Sequence, residues 1–68
     1  MYIKDGITYE CELKTPYECG LNRTWEQVKE QARYCNRLTM LVARSEVRNV
    51  EEIITMLKVE NVFVEPYD

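Results

Sequence analysis

A chain of 68 residues is long enough for one domain with a thin hydrophobic core. Its composition, 46% hydrophobic and 31% charged, is ordinary for a folded globular protein and argues against disorder. The net charge of −3 disfavours a dedicated nucleic-acid binder, and the absence of histidine excludes imidazole catalysis and histidine-ligated metal sites. We expect a single small domain over residues 1–68, of a size that usually relies on disulfides, a metal, self-association or a partner.

The N-terminal residues predict a β-hairpin. An Asp-Gly pair at residues 5–6 supplies the two positive-φ positions of a type I′ turn between residues 2–4 and a second strand. In residues 7–14, apolar and polar side chains alternate, which is typical of a strand with one buried and one solvent-exposed face. We expect the apolar residues to be buried and Glu10 and Glu12 to face water.

The next segment predicts a loop over residues 15–23, punctuated by proline and glycine, and then a helix. Thr24 and Gln27 have the spacing of a capping box, in which each side chain bonds the backbone amide of the other, so the helix is expected to begin at Thr24. Val28 and Ala32 follow at helical spacing.

Residues 38–43 form the longest run dominated by apolar side chains. Six residues suit a buried strand better than a helix, and Asn36 is a plausible helix terminator before the run. The alternative is that the preceding helix continues through the run, because Leu38 and Val42 extend its apolar spacing. We favour the strand because the run is apolar on every side rather than along one stripe.

The last third predicts one more helix and one more strand. Asn49 is a candidate cap for a helix ending near Lys58 or Val59, and residues 61–65 form a strand ended by proline. The predicted order is β-β-α-β-α-β, an α/β fold with α+β as the related possibility. It comprises an N-terminal hairpin, three mostly parallel strands, and two helices on one face of the sheet.

Two helices on one face leave the other face of the sheet uncovered. Alternate residues of the middle strand, either Met40 and Val42 or Leu41 and Ala43, must then point outward. We expect Phe63 on the uncovered face with Glu10 and Glu12 at its rim, and the candidate partner-binding residues are Glu10, Glu12, Leu41 and Phe63. An apolar strip with a polar rim is typical of a protein-binding surface. The sequence therefore favours a non-catalytic protein-binding module: a small regulator, adaptor or inhibitor that binds another protein or a second copy of itself. Such a chain also fits the small effector proteins of phages and mobile elements.

Nucleic-acid binding is the alternative function, because the middle of the chain is basic. Residues 20–48 carry six basic and three acidic side chains, a net charge of +3. The same arginines, with the helix starts at the carboxyl ends of the strands, also suggest an anion site. Against both, the helical basic residues have glutamates at pairing distance in sequence. The candidate residues are Arg23, Lys29, Arg33, Arg37, Arg44 and Arg48.

No sequence motif indicates catalysis, a cofactor or a metal. Two glycines exclude a phosphate-binding loop, and three cysteines without a Cys-x-x-Cys pair match no common zinc pattern. We therefore expect no enzyme activity, no cofactor and no bound metal. The odd number of cysteines, the charged N-terminus and the lack of any apolar stretch near ~20 residues predict a cytoplasmic protein with free thiols and no membrane span.

Overall fold

The computed structural model describes residues 1–68 as one four-stranded sheet covered on one side by helices. The predicted α/β order β-β-α-β-α-β is confirmed, with one short additional helix after the second strand. The elements are β1 (Tyr2–Lys4), β2 (Ile7–Leu13), α1 (Pro16–Cys19), α2 (Asn22–Ala32), β3 (Arg37–Val42), a 3₁₀ turn (Arg44–Glu46), α3 (Val47–Leu57) and β4 (Val62–Pro66).

The strands lie in sequence order, β1-β2-β3-β4. β1 and β2 form the antiparallel hairpin, and Asp5 and Gly6 at its turn both have positive φ, as a type I′ turn requires. β2, β3 and β4 are parallel. Right-handed crossovers between neighbouring parallel strands bring successive helices to the same face of the sheet, and side chains from α2 and α3 share one core with β3.

The core lies between the helices and alternate residues of β3. Leu38, Met40 and Val42 are completely buried and contact the apolar sides of both helices. Residues 37–42 are therefore an extended middle strand, and the alternative of a helix continuing through them is wrong. The helical residues in this core are Trp25, Val28 and Ala32 of α2 with Val50 and Ile54 of α3.

Two asparagines hold the turn between α2 and β3. The Asn61 side-chain amide donates to the carbonyl oxygens of Ala32, at 2.7 Å, and of Cys35, at 3.0 Å. Asn36 pairs with Thr8 of β2 in both directions, donating its backbone N–H at 3.0 Å and accepting on Oδ1 at 2.8 Å. The Asn61 bonds satisfy the carbonyls of Ala32, the last residue of α2, and of Cys35 in the turn, and the Asn36 bonds join the turn to β2.

The helix starts differ from the prediction. Thr15 and Glu18 form a capping box that starts α1 within the predicted loop. α2 begins at Asn22 rather than Thr24, because Thr24 already donates its N–H to Leu21 and its side chain is buried, with 4% exposed. α3 likewise begins before Asn49, because the 3₁₀ turn after β3 leads directly into it. Each predicted cap lies inside the helix it was expected to start.

Candidate protein-interaction face

The side of the sheet on which Glu10 and Glu12 lie is opposite to the one expected. In the β2–β3 pairing, Glu10 is level with Leu38 and Glu12 with Met40. Directly paired residues of neighbouring strands point to the same side of a sheet. Since Leu38 and Met40 are buried beneath the helices, both glutamates lie on the helix side, and the expectation that they border the uncovered face is wrong.

Both glutamates are half-buried there and have partners. Glu12 Oε1 accepts a hydrogen bond of 2.9 Å from Gln31 Nε2 on α2. Glu10 Oε2 lies 3.8 Å from the N-terminal amine of Met1. Because β2 is at the margin of the helix layer, its inward carboxylates keep contact with solvent, and partial burial is tolerated once these partners are supplied.

The opposite face of the sheet has no helix over it, and we call it the sheet face. Phe63 lies on it, as expected, and of the two alternatives for the middle strand the one with Leu41 outward is observed. The role of both residues in binding stays a prediction. The apolar row of β2, which the alternation had suggested would be buried, lies here too. The register of the three strand pairs assigns to the sheet face Tyr2, Lys4, Ile7, Tyr9, Cys11, Leu13, Arg37, Thr39, Leu41, Phe63 and Glu65.

The sheet face is apolar, solvent-exposed and locally ordered. The rings of Tyr2 and Tyr9 stack with centroids 4.7 Å apart and planes 7° from parallel. The Arg37 guanidinium lies 3.9 Å from the centre of the Phe63 ring. Exposed fractions of 61% for Tyr2, 58% for Leu13 and 39% for Phe63 leave much apolar area in water. Aromatic rings held in place by neighbours are the groups that dominate binding energy at protein interfaces.

A groove extends the sheet face around its β4 edge. It encloses about 440 Å³ between α3 and β4, with Arg37 and Phe63 at one side and Glu51 and Thr55 of α3 at the other. A separate groove of about 440 Å³ lies between α1, α2 and α3 on the helix side, and Trp25 and Met56 contribute to its wall. Only the first groove is continuous with the sheet face.

The candidate anion-binding residues do not share one surface. Arg37 lies on the sheet face, whereas Lys29 on α2 and Arg33 directly after it lie beyond the other side of the sheet. Arg33 is 3.2 Å from Glu30, and Arg44 donates to the Asp68 carbonyl at 2.9 Å. Two of the six cations are therefore already paired. Arg23 and Arg48 are exposed, the first on α2 and the second on α3.

The three cysteines are free and differ in surroundings. Cys11 is exposed at the middle of the sheet face. Cys19 is buried beside Trp25, whose Nε1 donates to the Cys19 carbonyl at 2.9 Å. Loss of hydration raises the pKa of the Cys19 thiol and of the half-buried Cys35 thiol. Cys11 is thus the accessible thiol of the chain.

Other kinds of site have little structural basis. No group of three or more acidic or cysteine side chains is arranged to hold a metal ion. Every buried side-chain nitrogen and oxygen has a hydrogen-bond partner, so none is left to bind a polar ligand in the interior. No helix has the length and hydrophobicity needed to span a bilayer.

The sequence did not predict that five apolar residues of β1 and β2 lie on the sheet face. The contact between Tyr2 and Tyr9 could have been predicted. An Asp-Gly turn closing between Lys4 and Ile7 sets Tyr2 opposite Tyr9, so the stacked tyrosines follow from the turn register alone. The side of the sheet on which they lie does not follow from it. The five residues are Tyr2, Ile7, Tyr9, Cys11 and Leu13.

No protein-family model, curated protein or solved structure matches the chain. The exposed apolar and aromatic side chains of the sheet face are therefore the main indication of function.

Proposed function

We propose that the protein is a non-catalytic protein-binding module whose sheet face docks onto another polypeptide surface. The observation that carries the proposal is the uncovered, contiguous apolar side of the sheet, with Tyr2, Leu13 and Phe63 in water. Large exposed apolar patches on small folded domains are characteristic of interaction sites. The two charged side chains beside Phe63, Arg37 and Glu65, supply the polar component that fixes orientation in such interfaces.

A regulator, adaptor or inhibitor is the functional class that this surface supports. The two carboxylates that share one side of β2 already have structural partners, since Glu12 accepts a hydrogen bond from Gln31 and Glu10 lies 3.8 Å from the Met1 amine. The free thiols support a reducing compartment, and we assign the protein to the cytoplasm on that ground.

The test of this function is capture of binding partners from cells that naturally express the chain, using two matched variants. Leu41→Glu introduces a charge on the middle strand of the sheet face and is expected to abolish capture. Met56→Glu makes the same kind of change on α3, where Met56 is 78% exposed, and is expected to leave capture intact. Equal capture by the wild type and both variants would show that the sheet face is not the docking surface.

Nucleic-acid binding is the second candidate, and the exposure of Arg23 and Lys29 on α2 and of Arg48 on α3 is what favours it. The division of the basic residues between opposite sides of the sheet weakens it. A nucleic-acid complex of this kind should form at about 50 mM salt and weaken steeply as salt is added, with a slope set by the number of phosphates contacted. Binding of that kind which survives Leu41→Glu would favour this function over protein docking.

A further inference from the structure

We propose that the partner of the sheet face is a second copy of this chain, so that two sheets pack face to face in a symmetric dimer. This inference rests on the proposed function, because it identifies the polypeptide that the sheet face binds. Three independent features of the molecule carry it: the surface area that the single chain exposes, the thinness of its core, and the self-complementary pattern of side chains on the sheet face.

The chain exposes more surface than its mass requires. A compact folded monomer of 8.2 kDa has about 4,500 Å² of accessible surface, whereas this chain has 4,964 Å². Its shortest dimension is 16 Å, which has room for a sheet and a single layer of helices. Four strands about 4.8 Å apart and about 20 Å long give the sheet face a footprint of roughly 400 Å².

The core of the single chain is small. Only 11 of 68 residues are buried, and all ten apolar ones belong to the one cluster between sheet and helices. Domains of this size commonly gain the missing apolar burial by oligomerisation. A second sheet packed at about 10 Å would create a second core from residues that are now in water.

Two of the three charged side chains on the sheet face, Arg37 and Glu65, select one symmetric arrangement; the third, Lys4, lies on β1 at the edge of the sheet. Arg37 and Glu65 lie on neighbouring strands, four residues apart in register and so about 13 Å apart along the strands. A two-fold axis that crosses the strands midway between them brings Arg37 of each copy to Glu65 of the other. The two-fold symmetry forms the Arg37–Glu65 pair twice, once in each direction across the interface. The assembly is closed at two copies, because each sheet face is covered by the other.

The same axis matches the apolar residues. It passes over the central row, which consists of Cys11, Thr39 and Phe63. Each of these residues therefore faces the same residue of the second copy. On β2, Tyr9 and Leu13 lie at equal distances on either side of that row. Tyr9 of each copy therefore packs on Leu13 of the other copy. The strands of the two copies then run antiparallel, within about 30° as in aligned sheet packing. Two footprints of this size bury roughly 800 Å² in total, less than the ~1,200 Å² of a stable specific interface, so the dimer is expected to be weak and reversible.

The decisive measurement is the mass of the purified chain by sedimentation equilibrium from about 1 µM to about 1 mM. We expect the mass to rise from 8.2 kDa towards twice that value. Alkylation of Cys11 should slow over the same concentration range, because Cys11 lies at the axis. The buried Cys19 should react slowly throughout and serves as an internal reference.

Charge exchange tests the geometry. Arg37→Glu and Glu65→Lys should each weaken the homodimer by about 100-fold, because each sets like charges opposite one another. An equimolar mixture of the two variants should restore dimer as a heterodimer, which a loss of folding would not do. Thr39→Arg, which sets two cations against each other at the axis, should abolish dimerisation, whereas Met56→Arg on α3 should not.

The outcomes separate this inference from the proposed function. A chain that stays monomeric at about 1 mM, with Cys11 labelling unchanged, overturns the dimer. If Leu41→Glu nevertheless abolishes capture of a different protein, the docking function stands with another partner. A dimer in which Cys11 remains fully reactive and Thr39→Arg has no effect uses another surface, and this too overturns the inference. Dimerisation with Cys11 protection and heterodimer rescue supports both proposals.

Discussion

Replacing Asn61 tests whether the turn after α2 is held as the structure indicates. The side-chain amide of Asn61 donates to two carbonyl oxygens, of Ala32 at 2.7 Å and of Cys35 at 3.0 Å, across 29 and 26 residues of sequence. Its backbone carbonyl also accepts from Leu38 at 2.8 Å. One residue thus joins the end of α2, the α2–β3 turn and the start of β4. Asn61→Ala keeps the backbone bond and removes both side-chain bonds.

The expected cost follows from those two bonds. A hydrogen bond contributes about 0.5–1.5 kcal/mol net, and a half-buried carbonyl left without its donor adds a desolvation penalty. We therefore expect Asn61→Ala to lower the free energy of unfolding by about 2 kcal/mol. For a domain of this size that is a fall in melting temperature of about 8–16 °C.

Asn61→Asp adds a pH signature to the same test. A carboxylate facing two carbonyl oxygens is repelled by them, so the pKa of Asp at this position rises above its unfolded value of about 3.9. Below the unfolded pKa the side chain is protonated and can donate one hydrogen bond, so the variant keeps part of its stability. The stability is lost as the pH rises through the folded pKa, which is the direction expected for a group whose folded pKa is raised.

Denaturant unfolding followed by circular dichroism measures both variants, with all proteins at one concentration because dimerisation would shift the midpoint. Asn49→Ala is the matched control: Asn49 is exposed on α3 and its loss should change stability by less than about 0.5 kcal/mol. If Asn61→Ala behaves like Asn49→Ala, the turn is not held by these bonds and the account of where α2 ends is wrong.

Four variants at other positions test the core, the hairpin turn and the cap of α1. Met40→Ala, in the buried middle strand, should cost about 2–5 kcal/mol, whereas Met56→Ala on the helix surface should change stability by under about 0.5 kcal/mol; equal losses would contradict the core assignment. Gly6→Ala has space for its methyl group but forces φ of +79° on alanine, so thermal melting should show a loss of about 1 kcal/mol. Thr15→Ala breaks the α1 capping box and should cost about 1 kcal/mol. The hydrogen bond from the Thr15 amide lowers the pKa of Glu18 below its usual 4.5. The wild type should therefore be more stable than Glu18→Gln above pH 4.5, and this difference should shrink as the pH falls through the lowered pKa.

Periodicity and length predicted the order of the elements because those features record burial directly. An apolar run of six residues fits a strand covered on its helix side, and Leu38, Met40 and Val42 occupy that side. Helix starts were less predictable, because several Thr and Asn side chains compete for the cap position. Tertiary packing decides which residue caps a helix. Thr24 is buried and does not cap α2, and Thr15 caps α1, a short helix in a segment whose proline and glycine had indicated a loop.

The error over β2 has a different physical origin. Alternation shows which residues share a side of a strand but not which side the helices cover. The assumption that apolar residues lie beneath the helices held for β3 and failed for β2, where Glu12 lies beneath them, paired with Gln31, and Leu13 lies in water. In an isolated chain that arrangement breaks the usual rule for burying apolar residues.

Departures from that rule are expected where a surface has a function. If the sheet face packs on a second sheet, Tyr9 and Leu13 become buried, and Glu10 and Glu12 stay at the solvated margin of the helix layer. Both sides of β2 then obey the physical chemistry that its alternation suggested. The proposed dimer, with its two apolar layers, would therefore account for the residue pattern of β2, which the single chain leaves unexplained.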